Sequence, residues 1–357
     1  MQLIVSVLIL IRDIVMNNSK VGLVLSGGGA KGAYQVGVLR YMAESGMNID
    51  AISGASIGAL NGAVIASASN MQEASEHLNQ LWQTLANESP LKVDKLAVAS
   101  YLGYCCIRVS SQLLPVLEFA SGVLAQHMLK NRGVLDNSPV KKLIETYTSP
   151  EKLSKGLPLY VSIFESNNSR KTVIETAMGA LGISDTNPSE FRHVQSFPAD
   201  QQRGVVLASA SLPLLFAAQE IDGKRYADGG IGGWQKSQGN TPITPLITEE
   251  NCSHVIVTHL TDGSLWNRYD FPETTILEVR PKNPITQESM IKDLLNFKSD
   301  KINYWIDQGY EDASRCMGDV AWVLKQQAAS TAAITQRNVI LQALDDDGFS
   351  LTLFDRQ

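Results

Sequence analysis

Residues 21–32 read VGLVLSGGGAKG and residues 51–58 read AISGASIG, and these two stretches decide the fold. In each of them, a short apolar run typical of a buried strand leads directly into a glycine-rich turn. A segment long enough for a helix separates the two, which predicts neighbouring parallel strands whose turns emerge at the carboxyl edge of one sheet. The serine at position 56 would stand at that edge.

Further strands are expected near residues 157–164, 255–259 and 275–279, with helical patterns between several of them. Two apolar stripes at helical spacing are interpreted as core faces of helices. One comprises Leu78, Leu81, Trp82 and Leu85, and the other comprises Ile302, Trp305, Ile306, Gly309, Ala313, Cys316 and Val320. These patterns predict an α/β protein.

Composition narrows the class of protein. With 357 residues, 44% of them hydrophobic, the chain can bury one large core and should fold as a soluble globular protein. The net charge of −6 makes binding of a nucleic-acid polymer a poor expectation. The four cysteines (Cys105, Cys106, Cys252 and Cys316) lack metal-ligand spacing, which favours a reducing, cytoplasmic location and no metal.

Two apolar segments bear on membrane contact. Residues 3–11 are too few to span a bilayer, which requires about 20. Residues 96–129 are strongly apolar, but Arg108, Pro115 and Glu118 divide them, so no transmembrane helix is expected. Two interpretations stay open for this second segment: an ordinary core layer, or a helical cap over a pocket for an acyl chain.

The second turn has the form Gly-x-Ser-x-Gly, at Gly54, Ser56 and Gly58, between a strand and a helix rich in small residues. This context is typical of a serine nucleophile whose Oγ projects from a tight turn. Acyl transfer also requires N–H donors for the oxyanion. The first turn can supply them, and the candidate oxyanion residues are Gly27, Gly28, Gly29, Lys31 and Gly32. Lys31 is either an added positive charge or a solvated loop lysine.

The first turn also fits the dinucleotide-binding pattern through Gly27, Gly29 and Gly32, with Asp50 as the acidic residue. A Rossmann-type oxidoreductase is therefore an alternative. It fits poorly, because Asp50 precedes the second strand, whereas the ribose-binding acid should follow it.

Two bases are considered for Ser56. Asp228 follows a hairpin signal at Asp222-Gly223 and precedes Gly229 and Gly230, which allow close backbone approach. A carboxylate can act as general base if its pKa lies near the working pH. The alternative is a Ser-Asp-His triad of α/β-hydrolase type with His254 or His259, but these histidines flank a central strand and are more often structural.

Taken together, GGGAKG, GASIG and DGG resemble the patatin-like phospholipase family. The segments 208–216 (ASASLPLLF) and 240–242 (NTP) add to the similarity. The resemblance implies a three-layer α/β/α fold with a central, mostly parallel sheet. It also implies a Ser56–Asp228 dyad without histidine, hydrolysis of fatty acyl esters of membrane phospholipids in the manner of phospholipase A1 or A2, and no cofactor.

The resemblance also implies a domain organisation. A catalytic domain would span residues 20–285, with an N-terminal extension at 1–19, an apolar helical cap at 91–130, and a C-terminal helical region with a polar tail at 286–357.

Within that family the chain is most similar to bacterial antiphage (CBASS) effectors that are activated by cyclic dinucleotides. This narrower similarity implies an activating ligand of the cyclic GMP-AMP type, a role in antiviral defence and a homo-oligomer. It also implies a cytoplasmic protein that associates with the inner membrane when active. No motif in the sequence identifies a pocket for the nucleotide.

Overall fold

The computed structural model describes residues 20–88, 138–165, 188–211, 219–221, 223–231, 238–261, 266–288 and 290–318. Its centre is an eight-stranded sheet. The strands are β1 (Val21–Leu25), β2 (Ala51–Gly54), β3 (Leu159–Glu165), β4 (Glu190–His193), β5 (Gln219–Ile221), β6 (Lys224–Asp228), β7 (His254–Thr258) and β8 (Thr275–Val279).

The described helices are α1 (Ala33–Glu44), α2 (Ile57–Ala66), α3 (Met71–Glu88), α4 (Ser138–Tyr147), α5 (Pro150–Lys155), α6 (Ala199–Ser209), α7 (Thr244–Thr248), α8 (Met290–Leu294) and α9 (299–318). A short 3-10 helix, Gly29–Gly32, directly precedes α1. The chain thus alternates strands and helices through its first half, as expected for an α/β protein.

The sheet has the order β5-β6-β3-β2-β1-β7-β8, and β4 pairs with β3 outside this path. The five strands from β3 to β8 along this order run parallel, whereas β6 and β4 are antiparallel to β3. Because β1 and β2 are central and parallel, the turns that follow them lie side by side at the carboxyl edge. The α/β fold with a mostly parallel central sheet, predicted from the sequence, is confirmed.

Both faces of the sheet carry a hydrophobic core. In β1, Leu23 and Leu25 pack into the larger core with α1, α2 and α3, while Val24 faces the other core together with Leu246 of α7. This alternation follows from the two-residue period of a strand. A sheet covered on both faces explains why β1 reads as a continuous apolar run.

Helix α9 packs against α1 in the larger core. A Cβ at Gly37 would lie 1.9 Å from the Ile306 carbonyl oxygen, so the backbones of the two helices touch. Tyr34 Oη donates a hydrogen bond of 3.1 Å to Asp312 of α9. The predicted apolar stripes of α3 and α9 are buried as core faces over their described residues, except that Cys316 is only partly buried.

Some expectations lie outside the described residues: the extension 1–19, the cap 91–130 and the polar tail beyond 318. Within the described ranges, no helix combines the length and apolar character needed to cross a bilayer.

Candidate active site

Ser56 occupies a strained turn between β2 and α2. Its backbone has φ 54° and ψ −124°, a conformation that L-residues rarely adopt and that costs about 1–3 kcal/mol. The flanking glycines are required by close packing: a Cβ at Gly58 would lie 2.0 Å from the Leu25 carbonyl oxygen, and one at Gly54 would lie 2.5 Å from that of Gly58. The turn therefore packs directly against β1 and places Ser56 at the N-terminus of α2, where the helix dipole favours negative charge.

A second serine supports this turn. Ser209, at the end of α6, accepts a hydrogen bond from the Ser56 N–H at 3.1 Å and donates one to the Ser162 carbonyl oxygen at 2.6 Å. Ser209 is fully buried, and it links the Ser56 turn to β3. The segment that contains Ser209 contributes to the family resemblance in the sequence, but the sequence predicts no role for Ser209 itself.

Asp228 lies level with Ser56 because of strand register. Val161 of β3 pairs with Gly54, the last residue of β2, and Ile163, two residues further, pairs with Asp228. Ser56 is likewise two residues beyond Gly54. The serine and the aspartate, 172 positions apart in the chain (228 − 56), are therefore brought to one place at the carboxyl edge.

The Asp228 carboxyl is almost completely buried, with 1% of the residue exposed. Burial raises its pKa from 3.8 to about 6, and hydrogen bonding with the Ser56 side chain and the Gly230 N–H opposes this rise. Oδ1 accepts the Gly230 N–H at 2.8 Å. Among the described groups, Oδ2 has no donor in full hydrogen-bond geometry, so the contact with Ser56 is weak and an oxygen remains available to accept a proton.

Gly229 and Gly230 allow the chain to fold back directly after Asp228. A Cβ at Gly229 would lie 2.1 Å from the Ser162 backbone, and one at Gly230 would lie 2.8 Å from Asn240 Oδ1. Their expected function of permitting close backbone approach agrees with these positions.

The glycine turn after β1 carries the N–H groups of Gly28 and Gly29. Gly29 has φ +57°, and the Lys31 N–H donates to the Gly28 carbonyl oxygen at 3.3 Å. Because a peptide unit is planar and trans, this bond turns the Gly29 N–H in the opposite direction. Neither the Gly28 nor the Gly29 N–H donates to another group in the described part of the chain.

The other three candidate oxyanion residues have different surroundings. The Gly27 N–H donates to the Asn240 carbonyl oxygen at 3.4 Å, so it is engaged in this structure. Gly32 packs under the turn, where a Cβ would lie 2.6 Å from Ile57. Lys31 is only 4% exposed, which contradicts the interpretation of a solvated loop lysine. The amides of Gly28 and Gly29 are the better donors.

Asn240 joins the two halves of the site. Its carbonyl oxygen accepts the Gly27 N–H. Its Oδ1 would lie 2.6 Å from a Cβ at Gly27 and 2.8 Å from a Cβ at Gly230, so it packs closely against both glycines. Next to it, Thr241 Oγ1 and Ser26 Oγ share a hydrogen bond of 3.2 Å. From the sequence, this segment contributed only to the family resemblance. The bridging position of Asn240 depends on tertiary contacts.

The alternatives considered from the sequence are not supported by the geometry. His254 pairs in register with Val21, at the amino edge of the sheet, so it is remote from Ser56. His259 Nε2 is bonded to Glu278 at 2.9 Å. Asp50 accepts the Val21 N–H at 2.7 Å before β2 begins, which is the wrong end of the strand for a ribose-binding acid.

No cluster of three or more His, Cys, Asp or Glu side chains suitable for a metal occurs within the ranges described. The site consists of a serine turn at the carboxyl edge of the sheet, a buried carboxylate and two N–H groups. This set of groups is suited to acyl transfer.

Comparison with known proteins places this site in a family. The family model described as patatin-like phospholipase matches residues 23–246, which include both glycine turns, Ser56 and Asp228. No curated protein sequence gives a significant match.

Two solved structures are similar at low identity. VipD from Legionella pneumophila is 15% identical, with 84% of this chain and 67% of that chain covered and a TM-score of 0.40. Full-length ExoU from the type III secretion system of Pseudomonas aeruginosa, in complex with SpcU, is 14% identical, with 93% and 62% covered and a TM-score of 0.33. The family match covers well over half of the chain, and the chain therefore belongs to the patatin-like phospholipase family, a family of lipid ester hydrolases.

Proposed function

We propose that this chain is a phospholipase A-type acyl hydrolase in which Ser56 is the nucleophile and Asp228 is the general base. The observation that carries the proposal is the pairing of a strained serine at the N-terminus of α2 with a buried carboxylate whose pKa is raised to about 6. A carboxylate with this pKa is ionised at neutral pH and is still basic enough to take a proton in the transition state.

The reaction begins when Ser56 Oγ attacks the ester carbonyl carbon and its proton moves to Asp228. The Oγ–C bond forms, and the carbonyl oxygen becomes an oxyanion that the Gly28 and Gly29 N–H groups stabilise. Each such donor contributes about 3–4 kcal/mol of transition-state stabilisation. The dipole of α2 adds to the positive potential around Ser56.

The tetrahedral intermediate then collapses, the lysophospholipid oxygen takes the proton from Asp228, and an acyl-enzyme ester remains on Ser56. Asp228 next removes a proton from water, which attacks the acyl carbonyl through the same oxyanion site. Collapse returns the proton to Ser56 Oγ and releases a free fatty acid. One carboxylate serves both half-reactions.

The substrate is proposed to be a membrane phospholipid, because the family consists of phospholipases. Purified protein is incubated with phosphatidylcholine–phosphatidylglycerol liposomes, and fatty acid and lysophospholipid are quantified. Wild type should release both in equal amounts, whereas Ser56→Ala and Asp228→Ala should release neither while folding normally. Release of fatty acid by Ser56→Ala at the wild-type rate would refute the dyad.

We further propose that a cyclic dinucleotide of the cyclic GMP-AMP type activates the enzyme at the inner membrane, as a homo-oligomeric effector in antiviral defence. The support is the resemblance to CBASS effectors stated from the sequence, together with the damage that unrestrained lipid hydrolysis would do to the host. The liposome assay is repeated with a panel of cyclic dinucleotides. A rate increase with one of them supports the activation, and equal rates with and without every nucleotide would contradict it.

A further inference from the structure

A chain of three buried polar side chains lies directly beneath the glycine turn 27–29. Trp82 Nε1 donates to Asn61 Oδ1 at 2.9 Å, Asn61 Nδ2 donates to Gln35 Oε1 at 2.8 Å, and Gln35 Nε2 donates to the Ser26 carbonyl oxygen at 2.8 Å. Helices α3, α2 and α1 supply one residue each. The chain therefore connects three separate helices to the start of the turn.

The direction of every hydrogen bond in this chain is fixed by its ends. An indole N–H can only donate and a main-chain carbonyl can only accept. Asn61 must therefore present Oδ1 to Trp82, and Gln35 must present Nε2 to Ser26. All three side chains are at most 1% exposed, so no solvent is needed to complete the chain. A single arrangement of both amides satisfies it.

The same residues hold the other end of the turn. Asn61 Nδ2 also donates to the Gly32 carbonyl oxygen at 3.2 Å, and Gln35 Nε2 also donates to Thr258 Oγ1 at 3.3 Å, at the end of β7. The Ser26 and Gly32 carbonyls lie on either side of Gly28 and Gly29. Because each peptide unit is planar, fixing these two carbonyls restricts the path of the amides between them.

We propose that Gln35, Asn61 and Trp82 are positioning residues that hold the Gly28 and Gly29 N–H groups in the geometry required by the oxyanion. The proposal rests on the acyl-hydrolase function proposed above and assigns its turn a rigid support. A buried polar chain with every member satisfied rigidifies its surroundings, and removal of one member loosens what the others hold. The three residues do not touch the substrate; they act through the turn.

The test compares Gln35→Met with Gln202→Met. Gln202 is a matched control: it is 2% exposed, donates to the Phe197 carbonyl oxygen at 2.9 Å and accepts from Ser154 at 3.0 Å, but it lies on α6 away from the glycine turn. Each substitution removes one buried side-chain amide, and the two amides make similar hydrogen bonds. Hydrogen–deuterium exchange of the peptide covering residues 26–32 should accelerate in Gln35→Met and stay at the wild-type rate in Gln202→Met.

The kinetic test separates positioning from folding. Gln35→Met should lower kcat by about 10- to 100-fold with KM nearly unchanged, because a displacement near 1 Å can reduce a rate by about 100-fold. A trifluoromethyl ketone lipid, which Ser56 converts to a hemiketal oxyanion, should bind more weakly by the same factor. An ether phospholipid forms no oxyanion, so it should bind to the variant as tightly as to the wild type. Gln202→Met should change none of these quantities.

Trp82→Phe provides a milder variant if Gln35→Met folds poorly. It keeps an aromatic ring in the core and removes the N–H farthest from the turn together with part of the indole ring. A smaller effect of the same kind, about 2- to 10-fold on kcat, is expected from loss of one hydrogen bond. Unchanged exchange of residues 26–32 in both variants would overturn the proposal even if the enzyme is active. If wild-type protein releases no fatty acid, the proposed function fails, and the exchange comparison still decides whether these residues hold the turn.

Discussion

Asp228 pairs with Ile163 across antiparallel strands β6 and β3, two residues beyond the level at which β2 ends at Gly54. This register places the carboxylate beside Ser56 although β6 runs against the parallel strands. A shift of β6 by one residue would direct the carboxylate to the opposite face of the sheet, because successive side chains in a strand alternate. The catalytic geometry proposed here thus depends on strand pairing as much as on the two residues.

The fall of kcat/KM at acid pH should be governed by the pKa of Asp228. Its pKa of about 6 means that it is increasingly protonated, and unable to act as base, as the pH falls through 6. We expect kcat/KM for a soluble p-nitrophenyl ester to rise tenfold per pH unit below 6 and to level off above it. His259→Gln should keep the same fall at acid pH, since His259 is bonded to Glu278. A profile that stays flat down to pH 4, or that shifts in His259→Gln, would exclude Asp228 as the base.

Asp228→Asn should stabilise the folded protein at neutral and alkaline pH. The pKa of Asp228 is higher in the folded state, at about 6, than in the unfolded chain, near 3.8, so the folded state binds more protons between these values. Its contribution to the free energy of unfolding therefore falls by about 3 kcal/mol as the pH rises from below 4 to above 6, and it stays low at higher pH.

Urea unfolding at pH 4 and pH 8 checks this expectation. The gain from Asp228→Asn should be present at pH 8 and small at pH 4, because a protonated aspartate and an asparagine are both neutral. An equal effect at the two pH values would contradict the raised pKa. Hydrolysis should be lost in this variant at both.

Ser56 variants separate chemistry from backbone strain. Ser56→Ala and Ser56→Gly should both reduce hydrolysis by at least about 10⁴-fold, since the nucleophile is removed. Only Ser56→Gly should be more stable than wild type, by about 1 kcal/mol, because glycine accepts φ 54° without the steric cost. Thermal unfolding of the two variants measures the difference.

Ser53→Ala is the control for this pair. Ser53 lies on β2, fully buried, and among the described groups its Oγ has no hydrogen-bond partner. Its removal should leave hydrolysis intact. Equal stability of Ser56→Gly and Ser56→Ala would show that the turn is unstrained.

Gly29→Ala should damage the site more than a similar substitution elsewhere. Gly29 and Gly46 both have positive φ, +57° and +71°. A Cβ at Gly29 would lie 2.4 Å from the Leu294 carbonyl oxygen of α8, whereas nothing lies within 4 Å of one at Gly46. Gly46→Ala should therefore cost about 1 kcal/mol of stability with hydrolysis retained, and Gly29→Ala should cost more stability and at least about 100-fold in kcat.

Unfolding midpoints and kcat for the two alanine variants give the comparison. If Gly29→Ala behaves like Gly46→Ala in both measurements, the contact between the glycine turn and α8 has no role in the site.

Much of the site could be predicted from local sequence. The apolar run before each glycine turn predicted β1 and β2, and the Gly-x-Ser-x-Gly spacing predicted a tight turn with Ser56 at the start of a helix. These features depend on residues a few positions apart. Strand boundaries differ by one or two residues from the expectation, as in β3 (Leu159–Glu165), because hydrogen bonding to neighbouring strands decides where a strand ends.

The supporting residues could not be predicted in this way. Ser209 holds the Ser56 N–H from 153 positions away, and Asn240 engages the Gly27 N–H that the sequence had assigned to the oxyanion. The contact of Leu294 with Gly29 involves a segment beyond the range matched by the family model. The segments of Ser209 and Asn240 add to the family resemblance, but no local pattern gives any of these three residues its role in the site.

The sequence by itself determined the kind of chemistry: glycines where only glycine fits, a serine between two of them, and an aspartate before a glycine pair. Steric exclusion and strand propensity act within a few residues, so they can be predicted from the local sequence. Only the tertiary structure decided which amides remain free, how deeply Asp228 is buried and hence its pKa of about 6, and which side chains hold the glycine turn. Burial and hydrogen-bond partnership depend on contacts between distant elements, and those exist only after the chain has folded.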